Sequence, residues 1–194
     1  MADMSARLDD AIAAKRRARR LLSADEVAAV YDRMASSIAR ELADTNPVVL
    51  AVMHGGAFTG VELCRRFDFP YEFGYVHVTR YANRLEGGEL DWHVEPRPEL
   101  EGRTVLVVDD ILDVGLTLAA LEAALAERRV ARLYKAVFAV KELAEPVERP
   151  SVDFAGTRIP DVYVFGCGMD YRGYWRGVPE LLAVEPAGTG GGSA

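Results

Sequence analysis

The chain has 194 residues, half of them hydrophobic, and a formal net charge of -7. That is enough chain to fill the core of one domain, and the acidic balance removes nonspecific nucleic-acid binding as the default expectation. No apolar run reaches the ~18 residues of a membrane span and no apolar leader opens the chain, so neither a span nor a signal peptide is expected and the cytoplasm is the expected compartment.

Residues 1–20 are polar and close on Lys15, Arg16, Arg17, Arg19 and Arg20. This basic cluster reads first as a solvated helix face or subunit contact, and only second as a nucleic-acid contact. Ser23 with Glu26 is a capping-box pair, and Val27, Val30, Tyr31, Met34, Ile38 and Leu42 keep helical spacing behind it. A packed helix is predicted there, broken by Asn46 and Pro47. Val48 to Met53 is a continuous apolar run of strand length that empties into His54, Gly55 and Gly56, before an amphipathic helix running to about Phe67. Taken alone, the paired glycines fit a tight turn. Cys64 and Cys167 stand far apart without metal-ligand spacing and are expected to be reduced.

Tyr71 to Thr79 alternates as a third strand, and Arg80 to Gly88 makes a polar, glycine-bearing excursion before Leu90 to Val94, the pattern of a long hairpin with a mobile tip. The stretch from Thr104 to Leu118, TVLVVDDILDVGLTL, carries the most chemistry. Val105 to Val108 lack polar alternation, as a parallel strand buried on both faces does. Asp109, Asp110 and Asp113 then enter what reads as a turn built on Gly115, and Leu118, Leu121 and Leu125 take up helical spacing. Ligands of open α/β sheets sit beyond the carboxyl ends of strands, where a helix N-terminus offers free N–H groups to phosphate. Gly115 permits close backbone approach and Thr117 adds a hydroxyl. Carboxylates repel phosphate, so the acids suit sugar hydroxyls and a divalent cation. A receiver domain leaves the glycine turn unexplained, and a haloacid-dehalogenase phosphatase needs an acid where Ile111 stands.

Beyond that helix, Tyr134 to Val140 reads as a strand ending at Lys141, which by itself is an ordinary snorkelling lysine. Val152 to Gly156 and Val162 to Met169 read as the last strands, and residues 188–194, GTGGGSA, as a flexible tail.

DDILDVGLT resembles the phosphoribosyl pyrophosphate (PRPP) motif of type I phosphoribosyltransferases, and with IPDVYVFGCGMDY it makes the chain similar to their hypoxanthine-guanine branch over roughly residues 22–182. The resemblance implies a Rossmann-like, mostly parallel α/β sheet flanked by helices, with a mobile hairpin and a small hood, in one domain over residues 1–187. It implies transfer of the 5-phosphoribosyl group of PRPP to a 6-oxopurine, hypoxanthine or guanine, giving IMP or GMP and pyrophosphate, with Mg2+ as cofactor and a homodimer or homotetramer as the assembly. By the same resemblance PRPP is held by Asp109, Asp110, Asp113, Val114, Gly115, Leu116, Thr117, His54, Gly55, Arg80, Tyr81 and Arg176. Asp113 is the implied general base at the purine N7. Lys141 reads the 6-oxo group, Tyr163 covers the purine and Val164 meets its edge through the backbone. Asp109, Asp110 and, through water, Asp170 serve the metal, and the Met53–His54 peptide is expected to be cis. The chain departs from the pattern at His54, where lysine is frequent, at Arg80, where serine is, and at Val114, where a hydroxyl residue is. Glu145 lies near where some relatives place an arginine. A PRPP-sensing regulator of the same fold, or a transferase for xanthine or another base, are the alternatives the sequence leaves open.

Overall fold

Ser23 and Glu26 cap one another. The Ser23 hydroxyl accepts from the Glu26 N–H at 3.3 Å while Glu26 accepts from the Ser23 N–H at 2.8 Å, so two N–H groups that the first helical turn leaves unpaired are satisfied. In the computed structural model, which describes residues 2–80, 90–96, 98–145 and 147–185, helix α1 (Ala2–Arg17) and strand β1 (Arg19–Leu22) precede the capped helix α2 (Ala24–Leu42). Then follow β2 (Val48–Val52), α3 (Gly56–Cys64), β3 (Glu72–Arg80), β4 (Leu90–Val94), β5 (Thr104–Leu112), α4 (Leu116–Glu127), β6 (Arg132–Glu142), β7 (Phe154–Pro160), β8 (Val164–Phe165) and β9 (Leu181–Ala183).

Six strands form the central sheet in the order β4-β3-β2-β5-β6-β7, all parallel except the β3–β4 hairpin. Strand alternation divides the core between its faces. Val49, Leu106, Val108, Ala136 and Phe138 pack under α2 and α3, beside Val30, Met34, Ile38 and Leu63. Val48, Leu50, Val52, Val105, Val107 and Val137 face the other way, onto Leu118, Leu121 and Leu125 of α4. This two-sided burial is why the strand sequences read as unbroken apolar runs.

A second sheet of three antiparallel strands, β1-β9-β8, makes the hood. Helix α1 is docked on it: Ala11 and Ala14 are buried with Phe165, Tyr171, Val178 and Leu182. The Trp175 indole N–H donates to Ala11 O at 2.8 Å, the Tyr171 hydroxyl donates to Asp10 at 2.9 Å, and the Lys15 ammonium lies 4.6 Å from the Trp175 ring centre. Arg19 pairs with Glu185 and Arg20 with Glu180. Three of the five basic residues, Lys15, Arg19 and Arg20, are thus engaged within the chain.

Several boundaries differ from the sequence reading. Helix α3 ends at Cys64, short of Phe67. Strand β5 continues through Leu112, because parallel pairing with β6 persists at Asp109↔Val137, Ile111↔Ala139 and Leu112↔Val140, so the carboxylate pair lies in the strand and not in the turn. The last parallel strand is Phe154–Pro160 in place of 152–156. The 162–169 run shrinks to Val164–Phe165, because Gly166, Cys167 and Gly168 all have positive φ and end the extended chain. The hairpin tip at 81–89, with Tyr81, and the tail at 186–194 lie outside the described residues. Among the described residues, no helix is long and apolar enough to cross a membrane.

Replacing Ser23 with Ala removes the cap and should lower stability by about 1 kcal/mol, read as a shift of the urea midpoint at unchanged slope, with substrate binding unaffected.

Candidate active site

The carboxyl ends of β2 and β5 lie side by side and open into a cleft of about 290 Å3. Its lining includes His54, Gly55, Asp109, Asp110, Asp113, Val114, Gly115, Leu116, Thr117 and Arg176. Ten of the positions inferred from the sequence therefore meet in one place. Lys141, Tyr163, Val164 and Asp170 do not line this cleft; Lys141 and Asp170 adjoin it through Asp113 and Arg176, and Tyr163 through Asp170, whereas Val164 pairs with Ala183 in the hood. Arg80 contributes its backbone to β3, opposite Leu90.

Asp110 is buried, and of the two glycines at β2's exit Gly55 makes its seat while Gly56 lies against Val108 and Asp109. A methyl group at Gly55 would stand 1.7 Å from Asp110 Oδ2, and one at Gly56 would stand 2.4 Å from Val108 O. Gly168, at φ +103°, closes the seat, since a Cβ there would meet Gly55 O at 2.4 Å. The glycines are thus required by the approach of β5's acid to β2's loop. The Met53–His54 peptide is cis, as the resemblance implies.

Burial pushes the Asp109 carboxyl well above the usual carboxylate range, and the neighbouring charge of Asp110 adds to the shift. Burial also raises Asp110, against which hydrogen bonding with Asp109 and the charge of Arg176 act. The Asp110 N–H donates to Asp109 Oδ1 at 2.9 Å. The pair is held where its full ionisation is unfavourable without a further cation or donors.

Gly115 takes the left-handed conformation, φ 82°, that starts α4, and no side chain caps the first turn. Gly115, Leu116 and Thr117, which carry N–H groups that the start of a helix leaves without intrahelical partners, line the cleft. The exposed Val114 supplies no hydroxyl there.

Lys141, at the end of β6, places Nζ 3.0 Å from Asp113 Oδ2 and 3.6 Å from Asp161 Oδ1. A donor and an acceptor therefore stand side by side at the mouth. Tyr163 is exposed, its hydroxyl donating to Asp170 O at 3.1 Å and its ring edge-on to Tyr171. Val164 buries its side chain and pairs with Ala183. Asp170 accepts from the Gly173 N–H and pairs with Arg176 at 2.7 Å, while Arg176 also donates to Gly168 O at 2.8 Å. Arg176 thus reaches the cleft from a fixed position.

Two features escaped the sequence reading. The chain's three histidines form one row, with ring centres 4.6 Å apart for His54 and His77 and 4.7 Å for His77 and His93. Burial, then the charges of His54 and His93, hold His77 below its usual pKa. Arg149, in the segment between β6 and β7, donates to Asp113 O and to Lys141 O, each at 2.9 Å. Neither carries a local motif, since each depends on strands that meet only in the fold. A larger cavity of about 520 Å3 lies on the other side of Arg176, but Tyr31, Phe58, Val61 and Val178 make it largely apolar and it holds no paired acids.

Residues 18–172 match the phosphoribosyl transferase domain family. The chain belongs to that family. Among its relatives, this phosphoribosyltransferase is 29% identical to the hypoxanthine-guanine-xanthine phosphoribosyltransferase of Tritrichomonas foetus, over 83% of this chain and 88% of that one. It is 29% identical to the hypoxanthine-guanine phosphoribosyltransferase of Bacillus subtilis, over 86% and 93%. The solved hypoxanthine phosphoribosyltransferase of Trypanosoma cruzi superposes with a TM-score of 0.79 at 27% identity, covering 87% of this chain and 91% of that one.

Asp109 has its pKa raised in the folded state, so the fold binds that proton more tightly than the unfolded chain does. The stability so gained is complete below the ordinary value of 3.8 and is lost as pH rises through the raised one. Asp109→Asn should therefore melt above the wild type at neutral pH without ligand, with the gap closing as the pH falls to about 4. Thermal unfolding across that range measures it.

Proposed function

We propose that this phosphoribosyltransferase transfers the 5-phosphoribosyl group of PRPP to hypoxanthine or guanine, releasing pyrophosphate and forming IMP or GMP. The observation that carries the reading is the Lys141–Asp113 pair beside the acid-and-amide cleft. A 6-oxopurine in its N7–H form presents a donor at N7 next to an acceptor at O6. That edge matches an Asp113 acceptor next to a Lys141 donor, whereas adenine would set an amino group against the lysine. A lysine-to-arginine mutant of the Trypanosoma cruzi hypoxanthine phosphoribosyltransferase, 26% identical to this chain, was solved with the product IMP, the nucleotide of a 6-oxopurine.

The N–H groups opening α4 and the Thr117 hydroxyl bind the 5-phosphate. Asp109 and Asp110 accept from the ribose hydroxyls, which relieves the cost of their burial. Their carboxylates also suit Mg2+, which is ordinarily held by one or two carboxylates plus waters and substrate oxygens. Bound with PRPP, Mg2+ supplies charge neutralisation to the departing pyrophosphate. Arg176, fixed by Asp170 and Gly168, faces the same negative charge. As the C1–oxygen bond breaks with its electrons going to pyrophosphate, purine N9 bonds to C1 and the N7 proton passes to the Asp113 carboxylate.

A PRPP-sensing regulator needs no base beside a base-reading lysine, and would need its basic cluster free for nucleic acid. Here Lys15, Arg19 and Arg20 are engaged by Trp175, Glu185 and Glu180. The enzyme is the reading these contacts favour.

Incubation with PRPP, Mg2+ and each base in turn should give nucleotide with hypoxanthine or guanine and none with adenine; nucleotide from adenine alone, or from no base, overturns the proposal. Asp113→Asn should lower kcat by about a hundredfold or more while changing PRPP affinity little, as steady-state rates and calorimetry would read.

A further inference from the structure

We propose that Arg149 is a positioning residue that keeps Asp113 and Lys141 in register when the purine enters between their side chains; this rests on the functional reading above. The hydrogen-bonded ladder between β5 and β6 has its last pair at Leu112↔Val140. Asp113, just past the end of β5, and Lys141 of β6 follow that pair, so the ladder ends just before the two groups that must be spaced to match a purine edge. Arg149 bridges the backbone at that point. Its Nη1 donates to Asp113 O at 2.9 Å and lies 3.5 Å from Leu112 O, and its Nη2 donates to Lys141 O at 2.9 Å.

The side-chain link across the same gap, Lys141 Nζ to Asp113 Oδ2 at 3.0 Å, is what the purine displaces. Each partner then bonds the base and no longer its neighbour. The guanidinium is left holding the two backbones together, with a planar fork whose spacing a flexible cation does not reproduce. Arg149 and Pro150 also back the phosphate turn, since a Cβ at Gly115 would meet Arg149 Cβ at 3.1 Å and Pro150 Cδ at 3.0 Å. Those contacts are made by the stem and the neighbouring ring, so exchanging only the head group leaves them in place.

The test compares wild type with Arg149→Gln and Arg149→Lys. In Arg149→Gln the purine KM should rise about tenfold and kcat fall by a similar factor, while the Kd of PRPP alone moves less than about threefold. Arg149→Lys keeps one charged donor and should recover part of the purine KM, and it carries the test if the glutamine variant does not fold. Calorimetry with GMP gives a readout that needs no turnover, and should show about tenfold weaker binding in Arg149→Gln. An unchanged purine KM and GMP affinity would overturn the proposal. So would equal weakening of PRPP and purine, or a lower kcat at constant KM, which is the mark of fewer folded molecules. If the wild type binds GMP but makes no nucleotide, the functional reading falls, and the GMP ratio alone decides the role of Arg149.

Discussion

Two adjacent carboxylates at the end of a central strand, Asp110 buried and Asp109 half-buried, are the constraint around which this site is built. Isolated, such a pair is costly: burial raises the pKa of both, and for Asp109 the charge of Asp110 adds to it. The chain offsets only part of this itself, through the Asp110 N–H to Asp109 and the nearby Arg176. The remainder is available to a ligand that brings hydroxyl donors and a cation. On the proposed reading, stability withheld from the fold in this way is available as binding free energy to PRPP, the usual exchange at an active site.

The surrounding architecture makes sense in those terms. Gly55 and Gly56 let β2's loop come against β5's acids, and Gly168 lets the hood come against Gly55. The hood also carries Asp170 and Arg176, whose mutual pairing fixes a guanidinium at the cleft. Helix α1 holds the hood from outside through Trp175 and Tyr171. Interactions far from the chemistry thus converge on where a few charges stand.

Much of this was legible in the sequence, for physical reasons that differ by element. Ser23 and Glu26 announced α2 because capping is local. Val48 to Val52 and Val105 to Val108 announced buried parallel strands because both faces are covered. The acids misled as to where β5 ends, since charge reads as loop while the ladder with β6 decides the matter. Apolar Val162 to Met169 misled in the other direction, because three consecutive positive-φ residues turn the chain where composition favoured a strand. For the site, Asp109 to Thr117 was legible as a unit because the loop and the helix N-terminus are contiguous. Arg149 and the histidine row were not, because each is assembled from segments that only the sheet brings together.

The account depends on where the buried acids point when substrate is present. A crystal structure of the protein with Mg2+ and PRPP, or a non-reactive analogue of it, tests this most directly. The ribose hydroxyls should lie within hydrogen-bond distance of Asp109 and Asp110, with the 5-phosphate against the first turn of α4. PRPP bound elsewhere, for instance in the apolar cavity beyond Arg176, with the two carboxylates touching neither sugar nor metal, would contradict it.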